Sequence, residues 1–150
     1  MADRPTDAAA LLHVRRDRRR EVVVAKREVI RPAGARPNPI LSPGVRVGDF
    51  IWTAGQVGQD PATGKIEGGI KEQTRQTLEN LRAVLEAGGS SLASVLKVNI
   101  YLTDINDRPA VNEVYAEYFP SDPPGRTAIG GAQFAPGTLV EIEAVAIVES

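Results

Sequence analysis

The sequence contains no cysteine and a single histidine, His13. Without thiols there is no disulfide, no thiolate nucleophile and no thiolate metal site. One imidazole, placed within the first fifteen residues, excludes a histidine-dependent triad, a multi-histidine metal centre and a histidine pair for acid–base cleavage of RNA. No run of about 18 apolar residues occurs, so no membrane span is expected. What remains is ordinary in bulk: 150 residues, 42% hydrophobic and 25% charged, the balance of a globular chain. That length suits one domain, and such a chain can bury roughly 70% of the surface its unfolded form exposes.

The net charge of −1 conceals an asymmetry. Residues 1–27 hold eight Lys or Arg against four acidic residues, whereas residues 28–150 hold ten against fifteen. The basic excess centres on Arg15, Arg16, Arg18, Arg19 and Arg20. Such a cluster can contact phosphate backbones or anionic lipid, but its expected state is a flexible, solvated N-terminal extension over residues 1–25. Ala8–Leu12 is too short for a secretory segment and its basic residues follow rather than precede it. Asp3, Asp7 and Asp17 argue against a transit peptide. A cytoplasmic protein is the expectation.

Beyond the tail, Lys26–Arg31 reads as a short strand ended by Pro32, and the proline-rich stretch 32–43 as an extended loop. Val45–Asp49 and Phe50–Val57 read as strands joined by a tight turn at Gly48-Asp49, and Asp60–Gly64 as a further turn. From Ile70 the apolar period becomes helical through Thr74, Leu78, Leu81 and Leu85, until Gly88-Gly89 stops it. Val95–Thr103 alternates like a half-buried strand, with Leu96, Val98, Ile100 and Leu102 on its apolar side. A second helix is predicted from about Asp107 to Tyr118, with Asn106 or Asp107 as N-cap and Pro109 in its first turn. Arg126–Phe134 and Val140–Val148 read as the last two strands. Two helices and about six strands predict an α+β domain over 26–150, the helices covering one face of a mixed sheet. In the last strand Val145 and Ile147 share a face with Glu141 and Glu143, while Ile142, Ala144, Ala146 and Val148 occupy the other. One helical layer cannot bury both, so the second face is expected to be covered by other subunits.

Several segments together resemble the reactive intermediate deaminase (YjgF-type, endoribonuclease L-PSP-like) family. They are Thr53-Ala54-Gly55-Gln56, Ala87-Gly88-Gly89, Val98–Asp104, Val111-Asn112-x-x-Tyr115, Pro124-Gly125-Arg126 and Val140–Ala144. The resemblance covers roughly residues 28–148 and implies a chorismate-mutase-like fold and a homotrimer with sites in the clefts between subunits. It places the family's carboxylate-binding arginine at Arg126, whose planar donor fork matches a carboxylate and never deprotonates. The family's acidic residue falls on Glu141, which would position or activate water. Gly55 would let a backbone N–H approach the ligand, Asn112 would orient substrate or Arg126, and Ala128 would line the site with backbone groups only. Leu41 stands where relatives commonly have Tyr, and Ala54 where they have Ser. Both make the pocket more apolar, so a bulkier imine fits as well as 2-aminoacrylate.

The implied activity is hydrolysis of reactive 2-imino or 2-enamino acids to 2-keto acids and ammonia, with no metal and no cofactor. A 2-aminomuconate-type deaminase differs only in substrate. A ribonuclease or translation inhibitor would use the basic tail, although residues 28–150 are acidic, and nucleic acid is disfavoured as a partner. A non-catalytic trimer that binds small carboxylates would need Arg126 but not Glu141. Geometry adds one expectation. Antiparallel final strands would set Arg126 and Glu141 about 20 Å or more apart, at opposite sheet ends, so that a shared site needs two chains.

Overall fold

The computed structural model describes residues 25–150, and the extension expected before Ala25 lies outside them. Seven strands and two helices follow in the order β1 (Arg27–Ile30), β2 (Gly44–Val47), β3 (Phe50–Thr53), β4 (Gln56–Val57), α1 (Ile70–Ala87), β5 (Val95–Leu102), α2 (Arg108–Tyr118), β6 (Gly125–Ile129) and β7 (Val140–Ile147). The sheet runs β1-β2-β3-β7-β5-β6, with β4 also paired to β7. All pairings are antiparallel except β5 with β6. Both helices cover one face, as the apolar periods predict.

Helix α1 buries Thr74, Thr77, Leu78, Leu81, Val84 and Leu85 along one stripe. It begins where the Glu72 carboxylate accepts a hydrogen bond from the Gly69 N–H at 3.0 Å. It ends in a Schellman motif: the Ser90 N–H donates to the Leu85 carbonyl, the Gly89 N–H to that of Glu86, and Gly89 takes φ +83°. Against this stripe lie Ile51, Val98, Ile100, Leu102, Val140, Ile142 and Ala146, all essentially inaccessible. Helix α2 adds Val111, Val114 and Tyr115. Asp107 stands at its N-cap position and Pro109 in its first turn, as expected, but the Asp107 side chain makes no capping hydrogen bond. The Asp104 side chain accepts from the Asn106 N–H at 2.9 Å and caps a short 3₁₀ turn, Ile105–Asp107, that leads into the helix.

Three further expectations are corrected. The strand read over Phe50–Val57 is two strands, which is why the sheet has seven rather than six. At the break the Thr53 hydroxyl accepts from the Ala144 N–H, and the Ala54 N–H turns away to the Pro43 carbonyl. The strand read to Phe134 stops at Ile129, because the Gly130 backbone is pressed against Ile105, where a Cβ would lie 2.7 Å from the Ile105 nitrogen. Leu96 is 47% exposed rather than core-facing, because the β5–β7 register slips between Val95 and Lys97 in a bulge that gives the buried position to Val95.

Candidate active site

The strand register decides which of the expected site residues can meet. In β6, Arg126 pairs with Val98 and Ala128 with Ile100. Both partners are core residues, so Arg126 and Ala128 lie on the helix-covered face. In β7, Glu141 pairs with Tyr101 and Glu143 with Asn99, on the opposite, open face. Strand β5 separates the two strands, so they run in opposite directions without touching. Arg126 and Glu141 are offset by three residues and two strand spacings, about 14 Å between backbones. The expected placement at opposite ends of the sheet is therefore wrong, because β6 begins opposite Lys97 and so sets Arg126 beside Val98, only three positions along β5 from Tyr101, the partner of Glu141. The sheet itself keeps them apart: no small ligand reaches both residues of one chain.

On the helix side, β6 is an edge strand and leaves Arg126 exposed. Its guanidinium carbon lies over the Tyr115 ring, 4.8 Å from the centroid. Among the described residues no carboxylate or carbonyl accepts from Arg126, so the donor fork is free to take a ligand anion. Ala128 is half-buried against the core two residues further on. Asn112 is exposed one turn before Tyr115, and it makes no hydrogen bond to Arg126. The spacing Asn112-x-x-Tyr115 places these two on neighbouring helix positions. In the sequence Tyr115 stands out as part of the Val111-Asn112-x-x-Tyr115 pattern; its ring beneath the guanidinium emerges from the fold.

On the open face, Glu143 accepts from Asn99 Nδ2 at 3.0 Å and from the Tyr101 hydroxyl at 2.8 Å. Glu141 has no such partner among the described residues. Burial first, and the neighbouring Glu143 charge second, push the Glu141 carboxyl above the ordinary carboxylate range. A carboxylate so placed is a stronger base than one in water. Gly55 sits directly beneath it: a Cβ at position 55 would lie 1.8 Å from Glu141 Oε1. Glycine is thus required here to make room for the carboxylate.

The five expected residues accordingly fall into two halves. Gly55 and Glu141 form one; Arg126, Ala128 and the α2 position of Asn112 form the other. An open concavity of about 800 Å³ lies between the 32–43 loop and the 59–64 turn and touches Gly55 but neither Arg126 nor Glu141. Among the described residues Arg126 and Glu141 thus stand on different faces of the sheet, and that concavity reaches neither.

Two helices on one face of an open mixed sheet make this an α+β protein of the Rid/YjgF fold, like the solved structures it superposes on. The family profile described as Endoribonuclease L-PSP matches residues 34–148, and the chain belongs to that family. A RutC family protein of Pyrococcus horikoshii is 49% identical over 116 residues, covering 75% of this chain and 92% of that one. A 2-iminobutanoate/2-iminopropanoate deaminase of Homo sapiens is 42% identical over 107 residues, covering 71% of this chain and 78% of the human one. The crystal structure of E. coli TdcF with bound serine superposes with a TM-score of 0.74 at 31% identity, covering 81% of this chain and 99% of that one.

Proposed function

We propose that the chain is an enamine/imine deaminase that hydrolyses 2-imino acids to 2-oxo acids and ammonia, in a homotrimer whose sites are shared between neighbouring subunits. The observation that carries this reading is the pair of unpartnered opposite charges, Arg126 and Glu141, on opposite faces of one sheet. Placing the open face of one subunit beside the edge strand of the next brings the two halves together, and repeating that unlike-to-unlike contact closes a ring. Deaminase relatives at 35–42% identity support the substrate class. A 2-imino acid carries a carboxylate next to its C=N carbon, which is the anion the Arg126 fork can hold bidentately.

With the carboxylate fixed on Arg126, the C=N carbon faces Glu141 of the neighbouring subunit. Glu141 accepts a proton from water as the water oxygen bonds to that carbon, giving a carbinolamine. That proton passes to the nitrogen to complete the amine. The carbinolamine hydroxyl then gives its own proton, by way of Glu141, to the same nitrogen as C=O forms, the C–N bond breaks, and ammonia leaves a 2-oxo acid. Water and imine supply every atom of the products. The uncatalysed reaction already proceeds in water, so orientation and charge complementarity suffice as the enzyme's contribution.

The test uses imines generated in situ from several L-amino acids. Arg126→Lys keeps the charge but loses the fork, and hydrolysis should fall toward the background rate with assembly preserved. Glu141→Gln should still bind carboxylates but turn over slowly. Refolding the two variants together should restore part of the activity, since some clefts then pair an intact Arg126 with an intact Glu141. Full activity in Arg126→Lys would refute the deaminase reading. No recovery despite proven subunit exchange would refute the shared site.

A further inference from the structure

We infer that Tyr115 is the positioning residue of the site: its ring holds the Arg126 guanidinium in place while leaving every N–H of the fork free for a carboxylate. The inference rests on the carboxylate-clamp role of Arg126 given above. Arg126 projects from an edge strand and is exposed, so nothing in β6 itself restricts its long side chain. An acidic partner would restrain it, but would also occupy the donors and neutralise the charge that a substrate needs. A ring face does neither, because the attraction is to the π cloud and uses no hydrogen-bond donor. The 4.8 Å separation of Cζ from the Tyr115 centroid is within the range of that attraction.

The platform is rigid. Tyr115 is 6% exposed and stacks on Phe119 with centroids 4.5 Å apart. Its hydroxyl is buried and makes no hydrogen bond among the described residues, so the ring and not the hydroxyl is what this position uses. Burial pushes the phenol up to about 12 against the opposing pull of Arg126, and the ring therefore stays neutral at physiological pH.

The experiment separates a ring effect from a packing effect. In the full-length protein, position 115 carries Tyr, Phe, Leu, or Phe with one to five ring fluorines, which drain charge from the face at nearly constant shape. Binding of 2-oxobutanoate is followed by calorimetry, and hydrolysis of 2-iminobutanoate by its KM and kcat. Tyr115→Phe should keep Kd, KM and kcat within about twofold. Tyr115→Leu should raise KM and the 2-oxobutanoate Kd about fivefold to tenfold with little change in kcat. The fluorinated series should raise Kd stepwise, which keeps the test decisive if the Leu variant misfolds. In an Arg126→Ala background the substitutions should cause no further loss. A flat fluorine series in a protein that binds and hydrolyses normally would overturn the role of Tyr115 alone. A wild type that binds 2-oxobutanoate through Arg126 but hydrolyses no imine would overturn the deaminase reading, and a stepwise rise in Kd would still establish the Tyr115 platform. Absence of both binding and hydrolysis would overturn both.

Discussion

Gly55 shows how a missing side chain leaves room for another, here the Glu141 carboxylate assigned to water activation in the proposed mechanism. A methyl group there would sit 1.8 Å from Oε1 of Glu141 and 2.6 Å from its Cδ, closer than any real contact. The obstruction is the far part of a flexible side chain, so the chain can accommodate the methyl by swinging the carboxylate away. Gly55→Ala should therefore leave the melting temperature within a few degrees of wild type while imine hydrolysis falls about 100-fold, the usual consequence of displacing a reacting group by an ångström or more. Thermal melts and initial rates on the same samples check this, and an active Gly55→Ala would mean that Glu141 is not in the reaction.

Gly58 poses the opposite case, and it concerns how β4 meets α1. A Cβ on Gly58 would lie 2.8 Å from the Gln73 Cα and 2.9 Å from its carbonyl oxygen. Backbone cannot rotate away. The Gln73 side chain is buried and tied at both ends: its amide donates to the Gly68 and Gly137 carbonyls, and its oxygen accepts from the Leu139 N–H. This one glutamine fastens the start of α1 to the loop before β7, which carries Glu141. Gly58→Ala should cost about 1–3 kcal/mol in chemical denaturation, as overpacking against fixed atoms does. By contrast, the Lys71–Glu113 and Arg75–Glu117 ion pairs between the helices are half-exposed, and removing either should leave the denaturation midpoint nearly unchanged.

Over the molecule as a whole, the open sheet face divides into an apolar half and a polar half. Phe50, Trp52, Val145 and Ile147 share one cross-strand patch, and Phe50, Trp52 and Ile147 are 38–45% exposed in the single chain. Sedimentation at micromolar concentration should give close to three times 16.1 kDa. Trp52 is the only tryptophan, so its emission should be blue-shifted in the assembly and move to the red in Val145→Asp, which places a charge in the patch. A monodisperse wild-type monomer would remove the shared cleft. A dissociated chain would also have a pH signature. Because the Glu141 carboxyl is raised in the folded chain, its contribution to stability is present at low pH and lost as pH rises through the raised value. In the Val145→Asp background, Glu141→Gln should raise the melting temperature at pH 7, and the difference should vanish below about pH 4. An unchanged melting temperature at pH 7 would show that the carboxylate is better solvated than its burial implies.

The element order was legible before any coordinates because local periods carry it. The three- and four-residue spacing of Ile70, Thr74, Leu78, Leu81 and Leu85 admits little but a helix, and Gly89, at φ +83°, ends it without backbone strain. The alternation of Val140–Ile147 likewise announced a strand with one face left uncovered. The residue pattern of the YjgF-type family marked Arg126 and Glu141. What no local pattern contains is the order of strands in the sheet. Inserting β5 between β6 and β7 put Arg126 against the helices and Glu141 on the open face, and that parity of register replaced the expected separation end to end. The Thr53 hydroxyl that splits one strand into two, the bulge that turns Leu96 outward and the Tyr115 ring beneath Arg126 have the same origin. Each is a contact between residues distant in the chain, and such contacts are chosen by packing and pairing of the whole sheet rather than by the preferences of neighbouring residues.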